Sequence, residues 1–327
     1  MKRMICLAMC ALMAVSVCAC GDQKTDAPTG SQPETAAVSQ TETGVAPTES
    51  GGSLSLKSFV AGFDKTPTVQ EKLIYGDKDI SVKVTGVDYS AISGPGLQLS
   101  VENHYKKDIV IQAPYAVVNG FMVSPEISIE VPAEKSGKGT LTLPYFNLAI
   151  SGITSLQLIE FKMRIVDAKS YNPISKTDLI TVTTSAEPKE TKYDESGQTA
   201  YDEDDIKIIL KGVSTERAYS DGAELMVYLY NGTDRNIAVR TNKVIVNGCD
   251  MTSAMNRTIL PDKRAVDVVT FYKPDMEEHD ITDIDNVKVS FEIKDADNWE
   301  TIGSTDLISV EQLPQKPTTA PTAAPKK

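Results

Sequence analysis

Residues able to do chemistry are few in this chain, and their spacing builds no reactive group. Only two histidines occur, His104 and His279. Neither belongs to a His-x-x-x-His or Glu-x-x-His pattern, so no helical face offers zinc two ligands. Both read as ordinary surface histidines. Gly-x-Ser-x-Gly and Ser-x-x-Lys nucleophile motifs are absent, as are a Gly-rich phosphate loop and a dinucleotide fingerprint. Two acidic groups, Asp202-Glu203-Asp204-Asp205 and Asp295 with Asp297 and Asn298, carry the oxygen ligands that calcium prefers. Neither follows the EF-hand spacing, and they read as solvated acidic turns. Cys249 lies just after a turn and reads as a half-buried packing residue. The expectation is therefore no catalytic residue, no metal and no cofactor: a protein that is not an enzyme.

The first residues carry a different signal. Lys2 and Arg3 precede an apolar run from Met4 to Val17, which ends in Val17-Cys18-Ala19-Cys20-Gly21. The run is too short to span a bilayer stably. It resembles a bacterial lipoprotein signal, cleaved before a lipid-modified cysteine, which here would be Cys20. The resemblance implies a signal peptide over 1–19, lipidation (palmitate) on Cys20 and a lipid anchor on the extracytoplasmic face of the cell membrane. Two buried acyl chains, at roughly 0.8 kcal/mol per CH₂, suffice for stable anchoring.

Composition narrows the partners. The net charge of −12 becomes about −14 once Lys2 and Arg3 leave with the signal. So acidic a chain repels nucleic acid and anionic lipid alike. Four of the five cysteines precede residue 21, which leaves Cys249 with no partner for an intrachain disulfide. Burial alone must hold the body together. Residues 20–53, rich in Thr, Ser, Pro, Ala and Glu, lack the apolar surface needed to offset ordering entropy and read as a disordered tether. Its r.m.s. reach is about 30 Å. Residues 313–327 read as a similar tail.

Between tether and tail the chain repeats itself. Asp79-Ile80-Ser81-Val82 matches Asp205-Ile206-Lys207-Ile208, and further on the offset settles at 128 residues. Asn103 then aligns with Asn231, Asn119-Gly120 with Asn247-Gly248, Asp167 with Asp295, and Thr177-Asp178-Leu179-Ile180 with Thr305-Asp306-Leu307-Ile308. The division is a first domain over 54–185 with an N-terminal lead-in, a polar linker over 186–198 that reads as a mobile hinge, and a second domain over 199–312. Alternation at Ile80, Val82 and Val84, at Leu97, Leu99 and Val101, and at Leu225, Val227 and Leu229 predicts strands with one buried face. Each Asn-Gly pair predicts a tight hairpin, since both residues tolerate positive φ. Single helical turns are expected near Leu148 and Met276. Trp299 aligns with Tyr171, and both read as packing residues. Tyr89, Tyr105, Tyr115, Tyr145 and Phe146 look exposed in sequence but read mainly as cover for their own core.

Many short strands and frequent turns predict an all-β chain of two tandem immunoglobulin-like β-sandwich domains. The recurring Asn-x-x-x-x-x-Ile, Val-Asn-Gly and Asp-Ala…Asp-Leu-Ile pattern resembles repeats of uncharacterised Gram-positive surface lipoproteins. That resemblance implies a fold and a location, and no chemistry. The expected function is a non-enzymatic, membrane-anchored lipoprotein whose domains bind or space at the cell surface. Its partners would be the membrane through Cys20 and an envelope protein or glycan. The alternative is an accessory subunit of an envelope transporter or cell-wall enzyme complex.

Overall fold

The computed structural model describes residues 56–189, 191–215 and 222–314. Cys20, the signal, the tether and residues 315–327 of the tail lie outside them. In the first repeat a short helix α1 (Leu56–Gly62) leads to β1 (Lys72–Gly76), β2 (Ile80–Asp88), β3 (Gly96–Asn103), β4 (Ile109–Gln112), β5 (Ala116–Val118), β6 (Phe121–Val123), β7 (Ile129–Val131) and β8 (Lys135–Thr142). Helix α2 (Tyr145–Ile150) is followed by β9 (Leu158–Phe161), β10 (Arg164–Asp167), β11 (Pro173–Lys176) and β12 (Ile180–Thr183). The second repeat contains β13 (Gln198–Glu203), β14 (Ile206–Ser214), β15 (Gly222–Asn231), β16 (Ile237–Val246), β17 (Cys249–Asp250), β18 (Asn256–Ile259) and β19 (Lys263–Tyr272). It ends with α3 (Lys273–Glu278), β20 (Val287–Asp295), β21 (Thr301–Ser304) and β22 (Ile308–Ser309). The helical turns α2 and α3 stand where Leu148 and Met276 predicted them.

Each repeat is a β-sandwich of the immunoglobulin-like kind. In the first, the antiparallel sheet β1-β2-β3-β8 faces β11-β10-β4-β7 and β12-β9-β5-β6. Val82, Val84, Leu99 and Val101 from one layer share a core with Ile111, Val131, Phe161 and Ile165 from the other. In the second, β13-β14-β15-β19 faces β17-β16-β20-β21, with Leu225, Val227 and Leu229 packed among Val244, Val289, Phe291 and Ile293. Two long strands of the second repeat are broken in the first: β20 is split into β9 and β10, and β16 is split as well. The long strand β16 of the second repeat is split into β4 and β5 in the first, where Pro114 intervenes. Proline has no N–H to give a ladder, so the strand breaks. At the same place β16 survives with only a register shift between Thr241 and Lys243.

Equivalent polar side chains close both sandwiches. Asn103, fully buried at the end of β3, donates to the carbonyls of Lys107 and Val131 at 2.9 and 3.1 Å and accepts the Tyr105 N–H. Asn231, also fully buried, donates to Arg235 and Ile259 at 2.8 and 3.0 Å and accepts the Thr233 N–H. Each therefore ties the end of one sheet to the turn and strand that begin the other. Asn119 and Asn247 head the Asn-Gly turns with φ of 49° and 50°, and the following glycines have φ of 89°. Asn119 Oδ1 accepts the N–H groups of Gln157 and Leu158, as Asn247 Oδ1 accepts those of Asp285 and Asn286. Thr177 Oγ1 accepts Met163 N–H and Thr305 Oγ1 accepts Phe291 N–H, both at 2.9 Å.

Removing either buried asparagine deprives a buried carbonyl, that of Val131 or of Ile259, of its bond. Asn103→Ala and Asn231→Ala are each expected to lower the free energy of unfolding by about 3 kcal/mol in urea denaturation, at the upper end of the penalty for unsatisfied buried groups. His104→Ala, at an exposed site, is expected to change it by less than about 0.5 kcal/mol.

Candidate functional site

The residues singled out by sequence do not converge. His104 is exposed, with Glu102 as its nearest carboxylate at 3.8 Å, and His279 stands 4.0 Å from Asp275. Asp204 and Asp205 occupy the β13–β14 turn with φ of 51° and 58°. Asp77, in the equivalent turn of the first repeat, receives the N–H groups of Asp79 and Ile80 and the Tyr75 hydroxyl. Asp295 Oδ1 is taken up by the N–H groups of Asp297 and Asn298 in its own loop. These carboxylates organise turns. Among the described residues, no group of three or more His, Cys, Asp or Glu side chains is placed to hold a metal ion. Cys249 is half-buried against the second core. Tyr145 is buried, at 1% exposure. The packing role expected of Tyr171 and Trp299 is wrong: they are 60% and 53% exposed, because each sits at a left-handed position of a hairpin loop that turns its ring outward.

The structure does bring side chains together at the junction of the repeats, a site that sequence reasoning had read as a hinge. Strand β6 pairs in parallel with β19 at Phe121 and Arg264, so that β12-β9-β5-β6 and β19-β15-β14-β13 form one eight-stranded sheet. The outer face of this second-repeat sheet is apolar where the first repeat's is polar. Ile209, Tyr228 and Val266 are buried against the first core, and their counterparts in the first repeat are Lys83, Ser100 and Lys138. Met122 and Val117 of the first repeat belong in turn to the second core. The β5–β6 hairpin supplies the cover: the Phe121 ring meets Tyr228 edge-on at 6.4 Å and Tyr193 at 5.5 Å.

Arginines and the linker fasten this apolar contact. The Arg264 guanidinium lies 3.6 Å from the Tyr193 ring and 4.4 Å from the Tyr230 ring, and the Arg264 N–H donates to Gly120 O. Gly120 has φ of 89°, and a Cβ there would meet the Tyr193 hydroxyl at 2.8 Å, so the position needs glycine twice over. Arg257 donates to Ser124 Oγ at 2.7 Å and Met122 O at 2.9 Å, and Lys263 pairs with Glu160 at 2.8 Å. Arg257 also stands 3.9 Å from Asp267, whose carboxyl burial pushes upward. In the linker, Lys211 Nζ donates to the carbonyls of Asp194 and Ser196 and pairs with the Asp194 carboxylate at 2.9 Å. Lys207 pairs with Glu195 at 2.7 Å, and the Tyr228 hydroxyl donates to Glu195. Burial raises the Tyr228 pKa, an effect reinforced by the Glu195 charge. Burial also tends to raise Asp194, but hydrogen bonds from Ser196 and Lys211 outweigh it and hold the group at about 2. Glu195 is held below its ordinary value, first by the Lys207 hydrogen bond.

What this arrangement can do is mechanical: it makes one body of two sandwiches. The signal lay in the differences between copies, since lysines and serines on an outward strand face become Ile209, Tyr228 and Val266.

No family model and no curated protein matches the chain. Among solved structures, a DUF4785 family protein from Legionella pneumophila is similar at 14% identity and a TM-score of 0.22, over 71% of this chain and 57% of that one. This chain thus spans little more than half of that protein. A YadV chaperone matches at 12% identity and a TM-score of 0.21, over 65% and 92% of the two chains. A red sea bream transglutaminase matches at 13% identity and 0.18, over 76% and 31%. At such scores these likenesses carry no argument about chemistry.

Arg264→Ala is expected to remove about 2 kcal/mol of junction stability, the scale of a desolvated cation–π contact, and to raise the radius of gyration in solution scattering. A mutant that scatters like the wild type would show that the stack does not hold the repeats. Acid is expected to act through the linker. Because the folded pKa of Asp194 is depressed, its stabilisation is full above the unfolded carboxylate value of about 4 and is lost as pH falls toward 2. Scattering between pH 5 and pH 2 should therefore show loosening across that window, and Asp194→Asn should loosen the pair at neutral pH.

Proposed function

We propose that this protein is a membrane-anchored extracytoplasmic lipoprotein, related to repeat-bearing surface lipoproteins of Gram-positive bacteria, that presents a stiff pair of β-sandwiches as a non-enzymatic binding or spacing module. The observation that carries the reading is Val17-Cys18-Ala19-Cys20-Gly21 at the end of a short apolar run behind Lys2 and Arg3. The joined sandwiches support it: a module that holds or spaces a partner at a surface gains from having no internal hinge. The polar composition of residues 20–53 supports it too, because such a segment lifts a folded body away from its anchor. Its partner is an envelope protein or glycan.

Metabolic labelling with an alkyne fatty acid tests the anchor. The wild-type chain is expected to take up label and sediment with membranes. Cys20→Ser is expected to abolish the label and release the body from the membrane fraction. Label that persists in Cys20→Ser, or a wild-type chain that takes none, would overturn the reading.

A further inference from the structure

The β10–β11 and β20–β21 loops are built on one plan and end in the same unusual feature. Asp167 Oδ1 accepts the N–H groups of Lys169 and Ser170 at 3.0 and 2.9 Å, as Asp295 Oδ1 accepts those of Asp297 and Asn298 at 2.9 and 3.3 Å. The Ala168 N–H donates to Asp108 O at 3.0 Å and the Ala296 N–H to Asn236 O at 2.9 Å, which fixes each loop to the neighbouring turn. Tyr171 N–H and Trp299 N–H close the loops onto Asp167 O and Asp295 O at 2.8 and 2.9 Å. These two aromatic residues have φ of 56° and 65°. Glycine or asparagine would occupy that region with less strain. Burial does not compensate, since both rings are more than half exposed. A strained, solvent-facing aromatic retained in both copies points to use outside the fold.

The net charges around the two rings are opposite: Asp108 and Asp167 offset two of three lysines in the first, while Arg235 and Lys294, which donates to Trp299 O at 3.5 Å, offset only two of four carboxylates in the second. Beside Tyr171, exposed Lys169 stands in the loop, and exposed Lys106 and Lys107 on the adjoining turn, with Lys107 paired to Asp167 at 3.0 Å. In the second repeat the same framework carries Asp297 for Lys169 and Asp234 for Lys106, and Glu300 for Asn172. Arg235, the counterpart of Lys107, stands 4.0 Å from Asp295. One corner is thus a ring in a basic setting and the other a ring in an acidic one, on equivalent scaffolds.

We propose that the Tyr171 corner of one molecule docks on the Trp299 corner of a second copy of this chain. Charge complementarity selects that occupant. In a protein of net charge −12, most faces of two copies repel, and a basic corner is where an acidic corner can approach. Like corners brought together would oppose lysine to lysine or carboxylate to carboxylate. Two copies lying antiparallel would make the contact twice and close on themselves.

Disulfide trapping with the full-length chain in detergent tests the contact independently of the lipid anchor, which the fatty-acid label reads separately. One tagged chain carries Tyr171→Cys and a differently tagged chain carries Trp299→Cys. Under mild oxidation the mixed adduct is expected to form on the order of tenfold faster than either cysteine variant linked to itself, given the opposite charges at the contact. Lys106→Glu with Lys169→Glu in the first chain should suppress it, and Asp234→Lys with Asp297→Lys in the partner should restore it. Equal rates in all pairings would overturn the proposal. So would an adduct no greater than in chains bearing only the native cysteines, or one indifferent to the charge reversals.

Discussion

In a sandwich the chain repeatedly leaves one sheet and enters the other, and each crossing carries backbone groups into places that water does not reach. Asn103 and Asn231 answer that constraint here. Each stands fully buried at the end of a strand of the first layer, and each donates to carbonyls of the turn and strand that open the second layer. Replacing the amide by an apolar side chain would take that bond from the buried carbonyl of Val131 or Ile259, a larger loss than the hydrogen bond itself is worth. The buried alternation of the strands sets their register, and this pair adds bonds that sliding would break.

The two copies keep the internal devices and differ on their surfaces. Asn119 and Asn247, Thr177 and Thr305, and Asp167 and Asp295 make the same bonds to equivalent partners. Outward positions diverge where the copies have different neighbours. Lys138 on β8 keeps that edge solvated and discourages further strand pairing, whereas Val266, its counterpart on β19, is covered by the first repeat. Tyr228 breaks the inside–outside alternation of β15 for the same reason: at that point both faces of the strand are buried, with Met226 and Tyr230 half-buried beside it. The junction is therefore a specialised surface, in which apolar burial is backed by Arg264 between two tyrosine rings and by the Lys207 and Lys211 pairs to the linker.

Much of the fold was legible because it rests on local rules. Period-two alternation located β2, β3 and β15, the repeat carried β2 over to β14, and the Asn-Gly pairs located two hairpins whose backbone has the required positive φ. The linker was misread as a hinge because its composition is polar, and composition is silent about ion pairs to lysines that lie more than ten residues away. Tyr171 and Trp299 were misread because an aromatic that replaces an aromatic suggests packing, while the left-handed loop position that turns both outward is a backbone property with no strong residue signature.

The sequence by itself determined the repeat, the strands and the turns that join them. These follow from side-chain periodicity and from the φ preferences of single residues, which act over a few neighbours. Tertiary structure alone decided that β6 and β19 join two sandwiches into one sheet, that Arg264 lies between Tyr193 and Tyr230, and that oppositely charged corners share one scaffold. Those outcomes depend on contacts between residues far apart in the chain. Their energy comes from burial and electrostatic pairing that exist only once both repeats have folded.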